Sequence, residues 1–181
     1  MVRVKTFVYV GTSLDGFLAK KDGNIDWLNE FQSQEVFESY KEFIGTIDAI
    51  VIGRGTFESV LTFSSWPYDK PVFILSSTLT QIPEKLKGNA TLISMKPKEL
   101  LKHLERKGFS NIYVDGGKVI QGFLREDCID EMIITRIPIL LGEGIPLFGP
   151  LGTDLRFEHV RTSVLANGLV KSWYRRKQRR G

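Results

Sequence analysis

Apolar and polar positions alternate along this chain with two different periods, and the change from one to the other marks the elements. Val2 to Val10 is rich in β-branched and aromatic residues and is ended by Gly11, which predicts a strand. Ser33 is placed to N-cap a helix running to Ile44, with Phe37, Tyr40 and Ile44 on one face. Ala49 to Gly53 is almost wholly apolar, as in a strand buried on both faces of a parallel sheet. A helix is expected from about Thr56, and Val72 to Leu75 and Thr91 to Ile93 read as further strands. Pro97 opens a helix carrying Leu100, Leu101 and Leu104, which Gly108 closes. Ile112 to Val114 reads as a strand, Gly116-Gly117 as a turn, and Val119 to Leu124 as a helix. Ile129 to Ile137 is a long strand. Asn167-Gly168, the preferred pair for a two-residue hairpin turn, should join Phe157 to Leu165 with Leu169 to Arg175.

The sum is an α/β fold: a mixed, mostly parallel sheet of roughly eight strands with an antiparallel end, flanked by roughly four helices. No repeat, low-complexity segment or long linker interrupts the pattern, so residues 1–176 read as a single domain followed by a short basic tail, 177–181.

Composition changes this picture in a few places. The 181 residues carry a formal charge of +4, but six basic groups fall between Lys171 and Gly181 (Lys171, Arg175, Arg176, Lys177, Arg179 and Arg180). Without them the body stands at −2. Such a run can touch phosphate backbones, or can simply solvate a terminus. Apolar stretches such as Ala49 to Ile52 fall far short of the ~20 residues of a membrane span, and the N-terminus shows no signal-peptide pattern. Cys128 is the sole cysteine, which excludes an intrachain disulfide and fits a reducing cytoplasm. His103 and His159 are too few for a histidine-rich zinc site, so no metal is expected.

Ligands of such sheets bind at the carboxyl ends of strands. Two junctions there have suitable composition. At Gly53-Arg54-Gly55-Thr56 a buried strand runs through two glycines and an arginine into a helix, a setting for a phosphate or for an ordinary tight turn. Asp115-Gly116-Gly117-Lys118-Val119 repeats the arrangement. Ser76-Ser77, ending another strand, could accept a phosphate or cap a turn. The third glycine of a GxGxxG fingerprint, a P-loop and a Gly-x-Ser-x-Gly elbow are all missing. Cys128 reads as a core thiol, and Asp15 and Asp22, each preceding a glycine, as turn formers.

Taken in order, Gly53-Arg54-x-Thr56-Phe57-Glu58-Ser59, Leu75-Ser76-Ser77 and Gly116-Gly117-Lys118-Val119 resemble the dihydrofolate reductase superfamily. Ser13-Leu14-Asp15-Gly16, Asp115-Gly116-Gly117 and Pro138 to Gly144 are more similar to a sister branch, the C-terminal reductase domain of the bifunctional riboflavin-biosynthesis deaminase/reductase and its stand-alone relatives. The resemblance spans Val4 to Tyr174, and the His-x-Glu and Pro-Cys-x-x-Cys signatures of the zinc deaminase half are missing.

This resemblance implies a dihydrofolate reductase-like fold and NADPH as cofactor. Gly53, Arg54, Gly55, Thr56, Ser76, Ser77, Asp115, Gly116, Gly117, Lys118 and Val119 would hold it, with Arg54 and Ser77 on the 2′-phosphate. The segment from Ser13 to Trp27 would close over the nicotinamide. Asp15 and Glu58 are the candidate catalytic carboxylates, with Trp27, Phe37 and Trp66 on the substrate side. Where dihydrofolate reductases carry a carboxylate on the first helix, this chain has Val36 or Phe37, flanked by Glu35 and Glu38. Reduction of a ribosylaminopyrimidine is therefore the leading expectation, with reduction of a pterin as the alternative. A non-catalytic nucleotide- or nucleic-acid-binding protein is the reading from another class. The resemblance further implies a homodimer.

Overall fold

The computed structural model describes residues 3–177. The fold is built on one eight-stranded sheet. Its central strand is β1 (Lys5–Thr12), paired in parallel with β6 (Asn111–Asp115) and β7 (Glu131–Arg136). Beyond β6 lie β3 (Ala49–Gly53), β4 (Val72–Leu75) and β5 (Ala90–Ile93), all parallel. β10 (Val170–Arg176) and β9 (Phe157–Val164) complete the far edge in antiparallel pairing. The mixed, mostly parallel sheet expected from the pattern is the one observed.

Period-two alternation sorts the side chains into two cores. Val8, Val10, Ala49, Val51, Ile112 and Val114 face α3 (Pro97–Arg106) and α4 (Gly117–Arg125), meeting Leu100, Leu104, Ile120 and Phe123. Ile50, Ile52 and Tyr113 face α1 (Gln34–Gly45) and α2 (Arg54–Val60), meeting Phe43 and Phe57. Ile50 and Ile52 have no exposed surface, so truncating either to alanine should cost about 2–5 kcal/mol. Ser33 caps α1, its hydroxyl accepting from the Val36 N–H at 3.3 Å.

Several expectations need correction. The seam of α1 runs through Val36, Tyr40, Phe43 and Ile44, so Phe37 points outward and is 59% exposed. The hairpin before β10 uses a three-residue loop. Leu165 accepts from Gly168, Leu165 N–H pairs with Leu169, and Gly168 takes the left-handed conformation at φ +73°. Gly117 is already helical, leaving Gly116 alone at φ +98° as the turn.

The stretch from Lys171 to Arg176 is no solvated terminus. It forms a strand between β7 and β9, with Lys171 buried and Arg176 paired to Asp127 at 2.6 Å. Of the expected tail 177–181, only Lys177 lies within the described residues, where its N–H bonds to the Arg156 carbonyl.

The segment after β1 is more ordered in its pairing than its polar sequence suggests. β2 (Phe17–Ala19) pairs with β8 (Ile145–Pro146), and a 3-10 turn spans Asp26–Phe31. Among the described residues no helix is long and apolar enough to cross a membrane.

Candidate active site

At the carboxyl ends of β1, β3 and β6 the sheet opens into a cleft of about 850 Å³. One wall is α2, with Gly55, Thr56 and Glu58; the other is Gly116-Gly117 at the start of α4, together with Leu18 and Ile145 of the small β2–β8 pair. The two glycine junctions are in contact. A Cβ on Gly116 would stand 2.5 Å from Thr56 Oγ1, and one on Gly53 would stand 2.7 Å from Val119 Cγ2. Packing thus accounts for glycine at positions 53 and 116. Gly55 differs: a Cβ there would meet nothing within 4 Å, and the bare backbone faces the cleft. α4 begins at Gly117 without a side-chain cap, so its first-turn N–H groups are donors for an anion.

Arg54 leaves the first turn of α2. Its Nε donates to Glu58 at 2.6 Å and its Nη1 to the Thr78 hydroxyl at 3.3 Å. The Ser76 hydroxyl accepts from the Thr78 and Leu79 N–H groups at 3.2 and 3.0 Å, the turn-capping reading of that serine. A cation and two hydroxyls therefore gather beyond the ends of β3 and β4. Thr78, which the sequence reading missed, belongs to this group; Ser77 is exposed and makes none of these bonds. Lys118 is exposed on the first turn of α4, whereas Val119 is buried against Gly53.

The cleft floor is a carboxyl among phenols. Tyr113 and Asp115, two apart on β6, point to the same face, and Tyr9 and Tyr68 line the cleft beside them. Burial pushes the Asp115 carboxyl up to about 6, against the opposing pull of the Gly116 N–H at 2.8 Å and the Tyr113 hydroxyl. The one proton of that hydroxyl is donated to the Tyr9 carbonyl at 2.9 Å. Burial, and next the Asp115 charge, raise the Tyr40 phenol to about 12 and hold Tyr68 and Tyr113 well above the usual tyrosine range. Tyr9, Tyr40 and Tyr68 were missed from sequence. Alternation along β1 could have flagged Tyr9, but nothing local marks Tyr68.

The expected catalytic carboxylates lie elsewhere or are engaged. Asp15 accepts from the Ser13 hydroxyl at 2.6 Å and from the Gly142 and Leu141 N–H groups at 2.7 and 3.2 Å. The Ser13 bond first, then those two amides, hold its carboxyl below the usual range, so it ties two loops together outside the cleft lining. Glu58 does line the cleft, as the ion-pair partner of Arg54. Trp27 packs with Ile137 and Leu169, one layer behind its neighbour Leu28, which reaches the cleft. Trp66 stands edge-on to Tyr68 at 5.2 Å and backs it without lining the cleft. Phe37 is remote from the cleft lining, on the outer face of α1.

Residues 4–171 match the family model described as the RibD C-terminal domain. The chain belongs to that family. A protein of Shewanella sp. PV-4, provisionally described as a riboflavin biosynthesis protein, is 42% identical, with a TM-score of 0.92 over 97% of this chain and 100% of that one. The Thermotoga maritima diaminohydroxyphosphoribosylaminopyrimidine deaminase/5-amino-6-(5-phosphoribosylamino)uracil reductase is 16% identical with a TM-score of 0.76, over 97% of this chain and 57% of its own length. Dihydrofolate reductase from Enterococcus faecalis, complexed with NADP(H), is 18% identical with a TM-score of 0.70, over 97% of this chain and 98% of its own. At those two identities the likeness is one of fold. The dihydrofolate reductase-like fold of the RibD C-terminal domain is what the sequence motifs implied.

Proposed function

We propose that the protein is an NADPH-dependent oxidoreductase that reduces a nitrogen heterocycle of the pyrimidine or pterin type. The observation that carries this reading is the meeting of two glycine junctions in one cleft, with open backbone at Gly55 and an uncapped α4 facing it. Membership of a reductase-domain family supports it.

The residues present fit the cofactor. Gly55, Gly117 and the first turn of α4 would hold a pyrophosphate, and a side chain at position 55 would stand where that ligand must lie. Arg54, Ser76 and Thr78 would hold the 2′-phosphate that distinguishes NADPH from NADH. When bound, NADPH supplies a hydride; the protein positions the reactants and excludes water.

Reduction also takes up a proton. Asp115, with its carboxyl raised by burial to about 6, is the cleft group that would exchange one at its carboxyl oxygen, gaining it just below neutral pH. The β2–β8 pair, fastened through Asp15, walls the cleft at this end. The ribosylaminopyrimidine named for the Thermotoga enzyme is the first substrate type to try. A homodimer, on the strength of the family resemblance, and a reducing cytoplasm, on the strength of the single cysteine, complete the proposal, and sedimentation of the purified chain tests its assembly.

Thermal unfolding with each cofactor tests the reading. Saturation to about 100 times Kd stabilises a protein by about 2.7 kcal/mol. NADPH should raise Tm well beyond NADH at equal concentration, and equal or negligible shifts would count against the assignment.

A further inference from the structure

One buried charge has no part in holding the cofactor or the proton. Lys171, on β10, is 4% exposed. Its Nζ donates to the Tyr9 hydroxyl at 3.1 Å and to the Ser39 hydroxyl, and it lies 4.7 and 4.9 Å from the ring centroids of Tyr9 and Trp173. Tyr9 in turn donates to Ser39 at 3.1 Å. Strand β1, helix α1 and strand β10 are thus fastened at one point. Among the described residues no ion pair includes Lys171. Glu35, Glu38, Glu42 and Glu131 line the same groove, of about 530 Å³, but stand beyond ion-pair distance of it. Burying an ammonium is costly, and an apolar side chain of the same length would pack here without that cost. What the ammonium adds is a fixed position for the Tyr9 phenol.

That phenol stands at a boundary. Among the described residues Tyr9 alone lines both the cleft and the groove that holds Lys171. Its ring stacks on Phe43 of α1 at 4.6 Å, and its carbonyl accepts from Tyr113, two residues before Asp115 on the cleft floor. Resting on the proposed reductase reading, we infer that Lys171 is a positioning residue of the reaction. From behind the cleft it holds Tyr9 as a wall against which the substrate lies, while it does not itself line the cleft. The groups that would hold the cofactor belong to α2, α4 and the end of β4, so the substrate end of the cleft depends on Lys171 and the cofactor end does not.

The test is a double-mutant cycle on the full chain: Lys171→Met, which keeps an apolar stem, Tyr9→Phe, which keeps the ring, and the two combined. The readouts are NADPH affinity by calorimetry and steady-state reduction of 5-amino-6-(5-phosphoribosylamino)uracil and of 7,8-dihydrofolate. Lys171→Met should leave NADPH affinity within about twofold and kcat little changed, while KM for whichever compound is reduced rises at least about tenfold. Tyr9→Phe should raise KM similarly, and the double variant should be no worse than either single one, because both cut the same bond. Nitration of Tyr9 by tetranitromethane, mapped by mass spectrometry, should quicken in Lys171→Met. Ser39→Ala, the second variant should Lys171→Met fail to fold, cuts the same fastening from α1 and should quicken it too. KM effects that multiply in the double variant, a fall in kcat and Tm with KM unchanged, or an unchanged rate of Tyr9 nitration each overturn the inference. Failure of NADPH to bind, or of both compounds to react, shows already in the parent protein and removes the reductase reading with it.

Discussion

Asp115→Asn deletes an ionisable group but keeps an oxygen that can accept from the Gly116 N–H. In the folded chain burial lifts this carboxyl from 3.8 to about 6, so the native state holds the proton more tightly than the unfolded state does. The stability tied to that proton is complete below about pH 3.8 and is lost as pH rises through about 6. Two pKa steps of about 1.4 kcal/mol each set an upper bound of about 3 kcal/mol on the cost of ionising Asp115 in the fold. Asparagine carries no such cost. Urea unfolding of both proteins at about pH 4 and about pH 8 should show the variant gaining on the parent by up to about 3 kcal/mol at the higher pH. Its NADPH-consuming activity should fall through kcat, with cofactor affinity kept. A stability difference that does not change with pH, or that favours the parent more at high pH, would refute the account of this carboxyl.

Other perturbations separate packing from binding. Gly55→Leu meets no neighbour at its Cβ, so it should leave stability within about 1 kcal/mol while NADPH affinity drops at least about tenfold by calorimetry. Gly116→Ala should destabilise by about 1–3 kcal/mol in thermal melts, because φ is +98° and the new Cβ runs into Thr56 Oγ1. Arg54→Ala should remove a charge-assisted bond of about 1.5–3 kcal/mol, narrowing the NADPH/NADH affinity ratio about ten- to a hundredfold. Thr78→Ala should narrow it less. Asp15 has its carboxyl held low, so its contribution is present above about pH 3.8 and fades only in stronger acid. Asp15→Ala should therefore speed amide exchange at Leu141 and Gly142 at neutral pH, and unchanged rates would dismiss its role as the tie between those loops.

The sheet was legible because its strands are short apolar runs with clean ends. Ala49–Gly53 and Val72–Leu75 fall where the pattern placed them, and the glycine junctions follow from where those strands stop. The shared cleft was legible for the same reason, since parallel neighbours present their carboxyl ends on one side. What escaped depends on contacts made across the chain. Phe37 is apolar and helical, but which helical face is buried is settled by Phe43 and Tyr40 packing against Tyr9. β2 and β8 are three and two residues long and stabilise each other over a separation no local pattern encodes. Asp115 looked like one more residue of a glycine turn. Its importance comes from the burial that β6 imposes and from tyrosines brought together from β1, β6, α1 and the loop before β4.

The claim on which the rest depends is that one dinucleotide lies across both glycine junctions. A crystal structure of the protein grown with NADPH tests it most directly. The pyrophosphate is predicted against Gly55 and the first turn of α4, with the 2′-phosphate between Arg54 and Thr78. Ordered cofactor bound elsewhere, with this cleft filled by water, would contradict the account.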